Sequence, residues 1–145
     1  MAEQPGLTLP GYFEYHTVPV KMVSTPEGGL AAWRLALDTG AWQPANDIVD
    51  EILFATGGEI YNLSEREFVQ LVEENRAQFL RGDGPVHALY GTMRAIAEVA
   101  REERRSRTPY ERALTVSLAR RTFVMFEEEL QRAGDPGADP TLGRD

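Results

Sequence analysis

Two capping boxes constrain this chain more than anything else in it. Ser64 stands three residues before Glu67, and Thr108 three before Glu111. In such a box the cap hydroxyl accepts the amide of the third helical residue, and the carboxylate there reaches back to the cap amide. Two donors that a helix would otherwise leave unpaired are satisfied reciprocally. Pro109 follows the second cap at the first helical position, where its missing N–H costs nothing. The boxes open one helix running to about residue 80 and another that stops near Gly134, a residue suited to the left-handed position past a helix end. Between them Gly84-Pro85 precedes a third helix, from about 86 to 105. Everything after Ser64 reads as helical.

The part before Ser64 has the other periodicity. Residues 12–23 (YFEYHTVPVKMV) are aromatic and β-branched and read as one strand, with Pro19 placed on an edge or at a bulge because it lacks a donor. Thr25-Pro26-Glu27-Gly28-Gly29 is turn chemistry. Residues 30–37 then alternate, with Trp33, Leu35 and Leu37 on one face and Ala32, Arg34 and Ala36 on the other. A short third strand is expected around 41–43. Asn46 or Asp47 caps a short helix through Ile48, Ile52 and Leu53 that stops at Gly57-Gly58. The fold class is α+β: an N-terminal antiparallel hairpin or small sheet followed by three long helices and one short one. Residues 1–11 are expected to form a flexible arm, 12–133 a single domain, and 134–145 a disordered tail, because Gly134, Pro136, Gly137 and Pro140 interrupt it.

The helical faces follow from spacing. In the first long helix Phe68, Leu71, Val72, Asn75 and Phe79 recur on one side, and in the second Val86, Leu89, Tyr90, Met93, Ile96, Ala97 and Ala100. The last helix carries two stripes. Tyr110, Ala113, Leu114, Ser117, Leu118 and Met125 form one; Val116, Ala119, Phe123, Phe126 and Leu130 form the other, at heptad-like spacing. A helix apolar on two sides is either sandwiched in its own core or in contact with another chain.

Composition narrows the function. With 145 residues the chain fits one domain, and with no cysteine it has no disulfide, thiolate metal site or cysteine nucleophile. A reducing compartment explains that absence most simply, so a cytoplasmic location is expected. No apolar run is long enough for a membrane span, and the first residues lack the basic and apolar regions of a signal peptide. The net charge of −8 is uneven: residues 1–80 hold 12 acids and 4 bases, whereas residues 81–121 hold 9 arginines and 5 acids. Arg101, Arg104, Arg105 and Arg107 are the densest basic cluster. Glu102 and Glu103 interrupt it and no aromatic residue is interleaved to stack bases, so it points to an acidic protein face or a solvated helix end rather than to nucleic acid. Glu127-Glu128-Glu129 reads as a solvated acidic run.

The sharpest short motif is Leu35-Ala36-Leu37-Asp38-Thr39-Gly40-Ala41. It resembles the active-site loop of retroviral-type aspartic proteases, in which two Asp-Thr-Gly loops meet across a dimer and their carboxylates share a proton. The resemblance implies Asp38 as catalyst in a closed β barrel. Asp-Thr-Gly is equally a strand-ending turn, which suits the helical remainder of the chain better. A metal site would have to combine His16 and His87 with carboxylates such as Glu14 or Asp83; no paired-histidine helix motif is present. No serine elbow and no Gly-rich phosphate loop with a lysine occurs, the only lysine being Lys21. No cofactor, metal or catalytic residue is assigned.

These observations lead to a non-enzymatic protein–protein interaction domain: an adaptor, an assembly subunit, or an inhibitor of the immunity type. The expected partner is another protein chain, or a second copy, held through the last helix by Phe123, Phe126 and Leu130 and by Arg101, Arg104 and Arg105. Nucleic acid and membrane are not expected partners. The alternative is a dimeric aspartic-type hydrolase using the Asp38-Thr39-Gly40 loop.

Overall fold

The structure is a computed structural model that describes residues 9–54 and 59–144. Five antiparallel strands, β1 (Gly11–Tyr15), β2 (Val18–Ser24), β3 (Leu30–Leu35), β4 (Trp42–Pro44) and β5 (Ile60–Leu63), form one sheet in the order β4-β3-β2-β1-β5. Among the described residues four α-helices accompany it: α1 (Val49–Phe54), α2 (Glu65–Phe79), α3 (Pro85–Glu102) and α4 (Pro109–Arg132). The α+β class and the order of sheet before long helices are as expected. The Gly57-Gly58 stop and most of the N-terminal arm lie outside the described residues.

The single strand expected over 12–23 is in fact a hairpin. His16 and Thr17 both take positive φ, 47° and 73°, and turn the chain in two residues, so that Tyr15 pairs with Val18 and Gly11 with Met22. Two positive φ values give the turn the twist that antiparallel strands need. Pro19 pairs with Glu14 of β1 but precedes the stretch that β3 pairs, which begins at Val20. β5, which had no counterpart in the sequence reading, adds to the free side of β1, with Tyr12 opposite Leu63 and Tyr15 opposite Ile60.

The alternation of strand side chains gives the sheet two apolar faces. Phe13, Val20, Met22 and Ala32 point to one, covered by Ile48 and Ile52 from α1 and the 3₁₀ turn before it. Tyr12, Leu35 and Trp42 point to the other, against Phe68, Val69 and Val72 of α2 and Phe123 of α4; Trp33 and Leu37 pack on the same cluster. α3 lies behind α2 and α4, where Val86, Tyr90 and Met93 meet Ala77, Leu80, Ala119 and Phe126.

Both capping boxes form as expected, with Ser64 Oγ and Thr108 Oγ1 each accepting at 3.1 Å from the amide three residues on. α3 ends without a glycine. Arg104 adopts φ 53°, and Arg105 N donates back to Ala100 O at 3.1 Å, closing the turn as Gly134 does for α4.

Two corrections concern packing. The buried face of α2 is Phe68, Val69, Val72, Glu73, Arg76 and Ala77, whereas Phe79 is exposed. The tail is not a disordered end but a strap that returns over α4 and the sheet. Asp135 Oδ2 accepts from Trp42 N at 3.0 Å, and a 3₁₀ turn, Pro140–Gly143, buries Pro140 and Gly143. Gly137 sits so close to Trp42 that a Cβ there would lie 2.5 Å from that residue's Cβ. Gly137, read as a mark of disorder, is what lets the strap approach two tryptophans, Trp42 and Trp33.

Candidate functional site

Charge in this molecule is sorted into a buried network and an exposed basic face. The network centres on Arg76. Its Nη1 donates to Glu73 Oε2 (2.8 Å) and its Nη2 to Glu127 Oε2 (2.5 Å), and all three side chains are fully buried. Nε and Nη2 also donate to the carbonyl of Gly40, at 3.1 and 2.8 Å. Trp42 Nε1 and the amide of Asp139 donate to Glu127, and Tyr90 donates its hydroxyl to Glu73 at 2.7 Å. Lys21 lies beside the network with its ammonium 4.7 Å from the Trp42 ring centre.

Buried charges are tolerable only when paired and hydrogen-bonded, and here every carboxylate is. Burial alone would lower the Arg76 pKa, but Glu73 and Glu127 outweigh it and hold the guanidinium charged. Burial pushes Lys21 down from its ordinary value, against the pull of Glu127 and Asp139. The network joins the Asp-Thr-Gly loop, α2, α3, α4 and the strap, and its residues are spent on one another.

That arrangement also defines the Asp-Thr-Gly loop. Asp38 and Thr39 are exposed in the turn, and Gly40 is the residue that is held, with φ 77° and a site where a Cβ would meet Leu80 and Phe126 at 2.7 and 2.9 Å. Among the described residues the chain after it adds only two short strands, which are the two edges of an open sheet, and is otherwise helical, rather than the closed barrel that the protease resemblance implies. His16 lies beside Glu59 (3.5 Å), and His87 stands in the first turn of α3 against Tyr90. Among the described residues no group of three histidine, aspartate or glutamate side chains is arranged to hold a metal ion.

From Ala119 onward the seam assigned to a second chain is intramolecular, whereas Val116 at its start is exposed. Phe123 is 0% and Phe126 8% exposed, packed in the two clusters on either side of α4, and Leu130 is half-buried against both. α4 is the sandwiched helix of the two alternatives, so Phe123, Phe126 and Leu130 are corrected from partner contacts to core. Glu127, read as solvated, occupies the same buried seam.

The arginines divide. Arg105 is bound to Glu111 (2.7 Å) and Glu103 (2.6 Å) and fastens the end of α3 to the start of α4. Its hydrogen bond, with that of the Thr108 amide, holds the Glu111 carboxyl down at about 2. Arg105 is therefore structural rather than presented to a partner. Arg101 is exposed, paired only with Glu98 along its own helix, and Arg104 is exposed at the α3 terminus. Arg101 and Arg107 line two adjoining hollows. One, of about 430 Å³, lies between α2, α3 and the start of α4 and also takes in Arg81 and Arg94; the other, of about 520 Å³, includes Arg105 and Arg112. Tyr110, 76% exposed, stands on the first turn of α4. Sequence clustering located the part of this face around 101–107 but not Arg81, Arg94 and Arg112, which folding brings to it.

Among the described residues no helix is long and apolar enough to cross a membrane. Comparison with protein-family models, with curated proteins and with solved structures finds no match.

Proposed function

We propose that this chain is a non-enzymatic protein-interaction domain that takes an acidic segment of a partner chain on the basic face around the α3–α4 junction. One observation carries the reading. On a chain of net charge −8, Arg101, Arg107 and Arg112 gather around two adjoining hollows, with Arg104 at the helix end beside them. Complementary charge steers a partner and fixes its register. Arg and Tyr are the residues that most often anchor interfaces, and the exposed Tyr110 supplies the aromatic anchor. The absence of cysteine supports work in a reducing compartment, which we take to be the cytoplasm.

The test is fluorescence anisotropy with a labelled glutamate-rich peptide, beside a single-stranded oligonucleotide of equal charge. The peptide is expected to bind in a salt-sensitive way. Binding is expected to disappear when Arg101, Arg104 and Arg112 are changed together to Glu, and to weaken in Tyr110→Ala. A peptide that ignores the triple substitution, or an oligonucleotide that binds more tightly than the peptide, refutes the reading.

A further inference from the structure

The first cleft holds, where α2 ends against α3, a pair of guanidiniums that the interaction reading does not use. Arg81, just past the end of α2, donates from Nη1 to the carbonyls of Gln78 and Leu80, both at 2.9 Å. Arg94, on α3, donates from Nη1 to the carbonyls of Ala77 (2.6 Å) and Leu80 (3.4 Å). The two side chains thus converge on one carbonyl oxygen at the C-terminus of α2, where positive charge complements the helix dipole.

Among the described residues Arg101, Arg105, Arg107 and Arg144 each have a carboxylate within ion-pair distance, but Arg81 and Arg94 form no such pair. Among the described residues each makes its hydrogen bonds through Nη1 alone. On the opposite edge neither Nε nor Nη2 has a hydrogen-bond partner among the described residues, and that edge is the planar fork that grips a carboxylate. Next to the pair the cleft is lined by Ala77, Met93 and Ala97, an apolar floor. Its volume of about 430 Å³ falls in the range of small-molecule sites. Glu74 and Glu98 also line the cleft and disfavour a multiply charged anion such as phosphate. Burial, and then the charge of Arg81, pushes the Arg94 guanidinium down from its usual value, a penalty that a bound anion relieves.

We propose that the part of this cleft between the end of α2 and α3 is a binding seat for a carboxylate joined to an apolar body, the head held by the unpartnered edges of Arg81 and Arg94 and the body lying on Ala77, Met93 and Ala97. This goes beyond the interaction reading, since the ligand is a small molecule and the gripping residues differ.

Octanoate serves as the probe, titrated calorimetrically into the full chain, with acetate, octanol and inorganic phosphate alongside. Saturable binding of octanoate at one site is expected, with acetate and octanol each far weaker because each lacks half of the ligand. Arg94→Gln and Arg81→Gln should each weaken octanoate by roughly tenfold or more, the loss that accompanies one charge-assisted hydrogen bond. Arg112→Glu, at a residue that lines only the second hollow, of about 520 Å³, should leave octanoate unchanged while weakening the acidic peptide, so the two readings fail separately. Thermal melts confirm folding; Arg81, being exposed, keeps the test alive if Arg94→Gln is unstable. Absence of octanoate binding, wild-type affinity in both folded Gln variants, or phosphate binding more tightly than octanoate overturns the proposal.

Discussion

Replacing Arg76 by Met tests the buried network at its centre. The substitution removes the ion pairs to Glu73 and Glu127 and both bonds to the Gly40 carbonyl. It keeps an unbranched stem of similar reach against Phe126, whose ring centre lies 4.3 Å from the guanidinium carbon, so the cavity left behind is small. What remains is two fully buried carboxylates without their shared cation. Breaking a buried pair from one side costs about 3–5 kcal/mol. That is a large share of the roughly 5–15 kcal/mol that stabilises an ordinary domain. For a chain near this length each kcal/mol lowers Tm by about 2–4 °C. Urea unfolding followed by tryptophan emission suits the measurement, because Trp42 donates to Glu127 and reports the same site. Changing Glu73 and Glu127 to Leu in the Arg76→Met background should restore part of the loss, since an apolar replacement of a whole buried ion network is often neutral. Recovery stays partial because Trp42 Nε1, Tyr90 Oη and the Gly40 carbonyl lose their partners. A loss below about 1 kcal/mol for Arg76→Met alone would show that the network is not held by its ion pairs.

Four further outcomes follow from the geometry. Gly137→Val should lift the strap, because a Cβ 2.5 Å from the Trp42 Cβ cannot be accommodated; the cost is roughly 1–3 kcal/mol, and faster acylation of Lys21, the only lysine, reports it by mass spectrometry. Phe126→Glu should unfold or aggregate the chain in sedimentation, since an unpaired charge would enter the core at a cost of more than ~4 kcal/mol; a well-folded monomer would return that side chain to the surface. Asp38→Asn should leave stability and peptide binding unchanged, because an exposed turn tolerates Asn as well as Asp; loss of a hydrolytic activity with folding intact would restore the carboxylate chemistry. Burial, with Glu65 and Asp139, pushes the Tyr12 hydroxyl from 10.0 up to about 12. That raised value contributes stability in full below pH 10 and loses it as pH rises through about 12, so Tyr12→Phe should make the alkaline fall of stability shallower.

How much of this was legible in the sequence depended on which physical rule governed each segment. The two capping boxes are local chemistry, and both formed where Ser64-Glu67 and Thr108-Glu111 stood. The β1–β2 turn was illegible because His16 and Thr17 hold positive φ without the Asn-Gly or Gly pair that ordinarily marks such a turn. β5 was missed because its four residues are half-buried at both ends and exposed between, a pattern without a clean period of two. The α2 face was rotated for a different reason. Hydrophobic periodicity assigns core positions to apolar residues, and here Glu73 and Arg76 occupy them while Phe79 remains outside. One signal was available: Glu73 and Arg76 are of opposite sign, three apart, and on the same stripe as Phe68, Val69 and Val72. Glu127 likewise stands four residues after Phe123 on the buried seam, a position that a reading of Glu127-Glu128-Glu129 as one charged run conceals.

The contrast between Arg76 and the pair Arg81 and Arg94 separates structure from function in this molecule. All three side chains donate to backbone carbonyls at the end of α2 or in a turn. Arg76 meets two carboxylates that are themselves buried and fully bonded, so its charge is neutralised within the fold and nothing outside has access to it. Arg81 and Arg94 meet only carbonyl dipoles, on the wall of a cleft, and each keeps a planar donor edge unused. Pairing of two like charges with no anion between them is unfavourable for folding alone, and more so for the partly desolvated Arg94. An arrangement that costs stability in the free chain and is relieved by a carboxylate is what a binding seat requires. The same reasoning assigns Arg105, locked to Glu103 and Glu111, to the scaffold, and leaves Arg101, Arg104 and Arg112 to the surface proposed for a partner.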